Sequence, residues 1–233
     1  MIRRPPRSTL SSSSAASDVY KRQVITDYIQ TVDGSSGVAP IWVDESGQNR
    51  IIVIPGANDL IDGSLAIKAL EKIGKPDVLV GQFEIPMNVN EQVFSYAYKN
   101  GVETVLNPAP ANKPSDILLQ NTSWFIPNEI EFEEIYGVVF NENNLLLFAK
   151  NVDTNVLVTL GEKGCAYIKN YSLKIIKSDS VKAIDTTGAG DAFVGAFSFA
   201  LASKLDIEEC LKLALKKATD SVTKKGTQSS YMN

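Results

Sequence analysis

The sequence contains no histidine and only two cysteines among its 233 residues. The absence of histidine excludes catalysis by an imidazole base and excludes most zinc sites. The two cysteines, Cys165 and Cys210, are too few for a disulfide framework and are typical of a reduced, cytoplasmic protein. No apolar run approaches the roughly 20 residues that a membrane-spanning helix needs, so no membrane partner is expected. These absences leave carboxylates as the main candidates for acid and base chemistry.

The rest of the composition is that of a globular protein, with 44% hydrophobic and 21% charged residues. Residues 1–23 differ, because they carry five basic side chains against one acidic one, a run of serines and no hydrophobic periodicity. We expect this segment to be non-native or disordered, since it resembles translated sequencing adapter; an organellar presequence is the alternative. Residues 24–233 then form one folded domain, whose net negative charge argues against a nucleic-acid partner.

Two kinds of pattern follow one another along this domain. The β-rich runs at 38–43 and 50–54 flank a turn that contains glycine, and they predict a hairpin. Strands are then predicted at 78–80, 104–106, 124–126, 156–159, 166–168 and 173–176. Helices are predicted at 60–73, at 89–100, from 129, directly after 188, and at 207–222. This alternation predicts an α/β fold with a mostly parallel central sheet that helices cover on both faces.

The most informative stretch is the string Asp185-Thr186-Thr187-Gly188-Ala189-Gly190-Asp191, which runs into an apolar helix. The first amides of a helix lack intrahelical partners and lie at the positive end of its dipole, so they favour an anion. Small residues let this backbone approach a phosphate closely, and Asp191 is placed to take a proton from an attacking hydroxyl. The string therefore indicates phosphoryl transfer to an alcohol. The alternative is a helix capped by Asp185 or Thr187, whose glycines serve only the turn.

This string and seven others resemble the ribokinase-like (PfkB) carbohydrate kinases, and they occur in that family's order. The seven are Gly37-Val38-Ala39-Pro40-Ile41, Ile54-Pro55-Gly56-Ala57-Asn58, Gly81-Gln82-Phe83-Glu84, Asn107-Pro108-Ala109-Pro110-Ala111, Pro127-Asn128-Glu129-Ile130-Glu131, Thr159-Leu160-Gly161 and Lys225-Gly226-Thr227-Gln228-Ser229-Ser230. The resemblance implies a three-layer α/β/α kinase domain, with the remnant of a small β lid within 24–58. The family's early sugar-contacting aspartate and its Gly-Gly-Lys-Gly-Ala-Asn-like string have no match here, so we expect an N-terminally truncated domain.

The resemblance also implies roles for the residues of the glycine-rich string. Asp191 would be the general base and would contact the sugar hydroxyl that it deprotonates. The backbone of Gly188, Ala189 and Gly190 would stabilise the charge on the transferred phosphoryl group. Glu84 would bind the sugar by hydrogen bonds to its hydroxyls.

Nucleotide and metal contacts follow from the same resemblance. The nucleotide would be bound by Asn128, Thr159 and Gly161, and Glu131 would act on Mg²⁺ through water. Potassium would lie among oxygen atoms of Asp185, Thr187, Ser221, Lys224, Gly226 and Ser230. Each of these positions has a local alternative. Asn128 and the acids after it fit a helix N-cap, and Thr159 and Gly161 fit a plain turn.

The activity implied by the resemblance is ATP-dependent phosphorylation of D-ribose at its 5-hydroxyl, in a protein that forms a homodimer. Another sugar or nucleoside kinase of the same fold is a close alternative. A second alternative is a truncated, non-catalytic fragment that binds nucleotide weakly or not at all.

Overall fold

The computed structural model describes residues 27–43, 49–169 and 171–231, so the segment predicted to be non-native or disordered, 1–23, lies outside the described residues. The predicted hairpin is present, because β1 (Ile41–Val43) pairs antiparallel with β2 (Asn49–Ile51). Two further backbone hydrogen bonds between Val38 and Ile54 extend this pairing. The hairpin forms a sheet of its own, separate from the main sheet.

The main sheet has six described strands, and their order in space is their order in the chain. They are β3 (Val78–Gly81), β4 (Glu103–Leu106), β5 (Trp124–Phe125), β6 (Asn155–Thr159), β7 (Cys165–Lys169) and β8 (Ser172–Ile176). Strands β3 to β6 are parallel, whereas β7 and β8 are antiparallel to their neighbours. Because β3 to β6 run the same way, their carboxyl ends meet at one edge of the sheet, where α/β proteins bind ligands.

Eight α-helices are described. They are α1 (Gly63–Ile73), α2 (Met87–Lys99), α3 (Asp116–Gln120), α4 (Glu129–Tyr136), α5 (Glu142–Asn151), α6 (Ala189–Ala202), α7 (Ile207–Val222) and α8 (Gln228–Tyr231). The first helix begins later than predicted, because Asp62 caps it by accepting from the Ser64 amide, while 56–60 form a 3₁₀ turn. The helix predicted at 89–100 begins two residues earlier, directly after Pro86. In the described part of the chain, every helix is too short or too polar to cross a membrane.

Helices cover the two faces of the sheet with separate hydrophobic clusters. Neighbouring strand residues alternate between them, so that Val105 packs with α6 and α7 while Leu106 packs with α2 to α5. The face of α6 that packs on the sheet is buried, with Phe197 and Ala200 fully inaccessible. The chain therefore has the predicted three-layer α/β/α architecture with a mostly parallel sheet.

An aromatic cluster centred on Phe132 holds α4 and α5 against the sheet. The Phe132 ring is fully buried and lies 5.2 to 6.1 Å, between ring centroids, from those of Tyr136, Phe148 and Phe140. Edge-to-face and tilted pairs at these distances add to the stabilisation from burial. The cluster fixes the start of α4, which follows the carboxyl end of β5.

We expect Phe132→Ala to lower the free energy of unfolding by about 3–5 kcal/mol, because it leaves a cavity in this cluster. Urea denaturation followed by circular dichroism measures the change. Ile130→Ala on the same helix is the matched control, since Ile130 is 62% exposed. Similar losses in the two variants would contradict the packing described for α4.

Candidate active site

Gly188 is the N-cap residue of helix α6, and no side chain caps the helix. Gly188 adopts the left-handed conformation, with φ of 77°, and the first helical bond runs from Ala192 N to Gly188 O at 2.9 Å. The amides of Gly190 and Asp191 precede that bond in the first turn, and both residues are exposed. The alternative of a helix capped by Asp185 or Thr187 is not what the structure shows. The start of α6 instead presents its amides to solvent, as an anion site requires.

The two glycines of this turn serve different purposes. A Cβ atom on Gly188 would collide with the Tyr231 hydroxyl and with Thr227, so the fold itself requires glycine there. A Cβ atom on Gly190 would meet nothing within 4 Å, and its backbone is not in the left-handed region. The protein alone therefore gives no reason for glycine at 190, whereas close approach of a phosphate would.

Two cross-links hold the turn in place. The Asp185 carboxylate accepts from the amides of Thr187 at 3.0 Å and Gly226 at 2.9 Å. Hydrogen bonds from the side chain and amide of Thr187, and from the Gly226 amide, lower the pKa of Asp185. The Tyr231 hydroxyl donates to the Gly188 carbonyl oxygen at 2.7 Å. Burial, together with the charge of Asp191, raises the pKa of Tyr231 to about 12, so its hydroxyl stays protonated at neutral pH.

Three carboxylates lie near one another at this edge of the sheet. Asp191 is exposed in the first turn of α6. Partial burial and the charge of Asp191 raise the pKa of Glu84, which follows β3. Burial also raises the pKa of Glu131, and repulsion from Glu134 and Asp191 adds to it, while a hydrogen bond from the Asn128 amide opposes it. The structure thus brings the predicted base and the predicted sugar ligand together.

The predicted nucleotide contacts lie at the ends of two neighbouring strands. Asn128 forms an isolated parallel bridge with Thr159, and Gly161 begins the 3₁₀ turn that follows β6. Asn128 and Glu131 also form a capping box, because each side chain accepts from the other's backbone amide, at 2.7 and 2.8 Å. The local alternative of a helix cap is therefore real. It uses one oxygen of each side chain and leaves the Asn128 amino group and the second Glu131 oxygen for other partners.

Magnesium fits this site only through water and phosphate. In the described ranges, no group of three histidine, cysteine, aspartate or glutamate side chains could enclose a metal ion. Glu131 offers a hard carboxylate oxygen, which is the donor that Mg²⁺ prefers, and Mg²⁺ usually keeps several waters. The residues present are thus compatible with the predicted water-mediated role of Glu131.

The residues predicted to surround potassium come together from two distant segments. Val222 O accepts from the amides of Ile184 and Asp185, and Asp185 bonds to Gly226. The Ser230 carbonyl oxygen accepts from the Lys224 ammonium at 3.2 Å, and the Ser221 hydroxyl donates to Ala218 O. These bonds bring 184–185 beside 222–226, next to the start of α6. The Ser230 oxygen is already in contact with a positive charge.

Sequence reasoning assigned no role to three residues that contact this site. Gln82 Nε2 lies 3.3 Å from Asp191 Oδ1 and 3.0 Å from Asn107 Oδ1. Gln82 and Asn107 belong to two of the strings that carried the family resemblance, so a signal existed. Nothing in the sequence pointed to Tyr231.

A cavity of about 360 Å³ opens beside Asp191 and Tyr231, between α6 and α7. Phe199, 66% exposed, lies along it. Asn128, Thr159 and Gly161 are not among its lining residues. The cavity is therefore distinct from the predicted nucleotide contacts.

An open helix start and an exposed carboxylate at the carboxyl edge of a parallel sheet are features expected of a phosphotransferase with an α/β fold. Residues 11–233 match the model of the pfkB family of carbohydrate kinases, and the chain belongs to this family of kinases. It is similar to a ribokinase of Haemophilus influenzae, with 39% identity over 212 residues that cover 88% of this chain and 69% of the relative. It is also similar to a deoxyribokinase of Salmonella typhi, with 37% identity over 88% of this chain and 70% of the relative.

A solved structure of an Arabidopsis thaliana ribokinase, complexed with ribose and ATP, has the same fold. Its TM-score is 0.81 at 29% identity, and the match covers 89% of this chain and 70% of that one. The fold, the kinase class and the family predicted from the sequence are thereby confirmed.

We expect Gly190→Ala to fold with a stability within about 1 kcal/mol of the parent, because its added methyl group meets open space in a helix. Kinase turnover should fall at least about tenfold, since the methyl group obstructs the amides that stabilise the phosphoryl group. Gly188→Ala should instead lower the free energy of unfolding by at least about 1 kcal/mol. Urea denaturation and ADP release measure both variants. Full turnover in Gly190→Ala would contradict an anion at this helix start.

Glu84→Gln should raise the melting temperature at pH 7. A carboxyl whose pKa is raised by folding destabilises the folded state at pH values above that pKa, and the penalty vanishes below the ordinary pKa. The advantage of glutamine should therefore shrink as the pH is lowered through the raised pKa. Differential scanning fluorimetry from pH 4 to pH 8 tests this, with Glu103→Gln at the start of β4 as the control. A pH-independent difference would contradict the cause given for the shift.

Proposed function

We propose that this chain transfers the γ-phosphoryl group of ATP to the primary hydroxyl of a pentose, with D-ribose as first candidate and ribose 5-phosphate as product. The observation that carries the proposal is the exposed Asp191 carboxylate, which shares the first turn of α6 with open amides. Glu84 lies close enough to Asp191 for their charges to interact. A base, an anion site and a polar sugar ligand would thus face one space.

The chemistry requires little of the protein beyond position and charge. The sugar hydroxyl oxygen forms a bond to the γ-phosphorus, the bond from that phosphorus to the bridging oxygen breaks, and ADP leaves with the electron pair. Asp191 accepts the hydroxyl proton. The amides of Gly190 and Asp191, at the positive end of the helix dipole, stabilise the charge on the phosphoryl oxygens.

The sugar is the finer part of the proposal. One relative is a ribokinase and another, of similar identity, is a deoxyribokinase. The Arabidopsis relative was crystallised with ribose and ATP. D-Ribose and 2-deoxy-D-ribose share the 5-hydroxyl that Asp191 would deprotonate and differ at the 2-hydroxyl. Glu84 is the described residue that we propose for hydrogen bonds to the sugar hydroxyls.

We propose that the nucleotide lies along Asn128, Thr159 and Gly161. Mg²⁺ would neutralise phosphate charge when bound, and Glu131 would orient its waters. Potassium would lie among the oxygens contributed by 185–187 and 221–230, where it would stiffen the turn before α6.

The test is a substrate panel on the purified chain. ADP release is measured with D-ribose, 2-deoxy-D-ribose and adenosine, in potassium and in sodium buffers. We expect D-ribose to give the highest kcat/KM and potassium to raise it. Asp191→Asn should lower kcat at least about 100-fold while ATP binding, measured by calorimetry, persists.

Other outcomes decide between the alternatives. A preference for 2-deoxy-D-ribose would change the proposed sugar substrate but not the proposed mechanism. A preference for adenosine would identify the chain as a nucleoside kinase. Near-normal turnover in Asp191→Asn would remove Asp191 as the base, and equal rates in sodium would remove the potassium proposal. ATP binding without turnover of any acceptor would identify a non-catalytic fragment.

A further inference from the structure

One side-chain amide joins the end of β3 to the start of α6. Gln82 Nε2 lies 3.0 Å from Asn107 Oδ1 and 3.3 Å from Asp191 Oδ1. A glutamine amino group carries two hydrogens, and both of these neighbours are acceptors, so each hydrogen has one partner. The same chemistry fixes which way the amide faces, because turning it over would place its oxygen against two other oxygens.

Gln82 is itself held by two buried asparagines, one at its side chain and one at its backbone oxygen. Asn107 is 9% exposed, and its Nδ2 donates to Ile126 O at 2.9 Å, which leaves its Oδ1 as the acceptor for Gln82. Asn90 is 2% exposed, and its Nδ2 donates to the backbone oxygen of Gln82 at 2.7 Å. A chain of hydrogen bonds thus runs from the end of β5 through Asn107 and Gln82 to Asp191.

This chain meets Asp191 at one oxygen only. Asp191 is exposed, and an exposed carboxylate would otherwise rotate among several rotamers. The bond from Gln82 holds Oδ1 and leaves Oδ2 for the acceptor hydroxyl. Holding a reacting group in its productive geometry lowers the entropic cost of the reaction, and a small displacement of that group lowers the rate.

We propose that Gln82 is a positioning residue, which orients the Asp191 carboxylate toward the acceptor hydroxyl, and that Asn107 keeps Gln82 in place for it. The proposal deepens the proposed function and rests on Asp191 being the base. A purely structural cross-link between β3 and α6 is the competing explanation. The two differ in what changes when the bond is lost, since positioning affects kcat and a cross-link affects stability and binding together.

The test compares Gln82→Met and Gln82→Glu with the parent chain. Methionine keeps the length of the side chain but donates nothing, so kcat should fall about 10- to 100-fold with KM for ATP and sugar within about threefold. Glutamate keeps the shape but places a carboxylate against Asp191 Oδ1 and Asn107 Oδ1, so its loss of kcat should be larger. Gln120→Met, at the exposed end of α3, makes the same chemical change away from the site and should leave all constants unchanged.

A double-variant cycle tests the role of Asn107. Asn107→Leu should lower kcat on its own. The double variant with Gln82→Met and Asn107→Leu should have the same kcat as Gln82→Met alone, because Asn107 acts through Gln82. Melting temperatures of all variants are measured beside the kinetics. Additive losses would overturn the role of Asn107.

The outcomes separate this inference from the proposed function. Parent-level kcat in Gln82→Met, while Asp191→Asn is inactive, overturns the positioning role alone. A loss of kcat in Gln82→Met that is accompanied by a higher KM and a lower melting temperature supports the cross-link and also overturns the positioning role. Absence of turnover in the parent, or full turnover in Asp191→Asn, overturns the proposed function and the inference with it.

Discussion

The start of α6 is the constraint on which the rest of the site depends. Its first-turn amides attract anions, yet three carboxylates, Asp191, Glu84 and Glu131, lie at the same edge of the sheet. Partial burial raises the pKa of Glu84 and of Glu131, and the nearby like charges add to it. An arrangement of this kind costs stability in the free protein. Under the proposed function, a cation bound with the nucleotide phosphates would relieve this repulsion.

The turn before α6 is held by contacts that do not use the open amides. Asp185 ties it to Gly226, and Tyr231 ties the Gly188 carbonyl to the last described helix. These bonds fix the left-handed glycine without using the amides of Gly190 and Asp191. The protein thus fixes the backbone of the turn while the first amides of α6 have no capping side chain, which is how a preorganised anion site differs from an ordinary helix cap.

The family and its relatives agree with this geometry at the level of the kinase class. Within that class, the sugar is decided by groups that converge on its hydroxyls, and Glu84 and Asp191 are the residues that we propose for them. The hydrogen-bond chain through Gln82 and Asn107 adds a reason why the strings after β3 and β4 carry amide side chains. Both strings end strands of the parallel part of the sheet, so their side chains reach the same edge as the start of α6.

The sequence by itself determined the α/β class, most strands, the hairpin and the turn of small residues before α6, because these depend on short-range periodicity and on the backbone geometry of small residues. The observed start of a helix differs from the predicted one where a capping side chain fixes it, as Asp62 does for α1. Only the tertiary structure decided which side chains meet. Gln82 and Asp191 are 109 residues apart, and Tyr231 lies 43 residues beyond the glycine whose carbonyl it binds. Contacts of this kind follow from the order and direction of strands in the sheet, which local patterns do not encode.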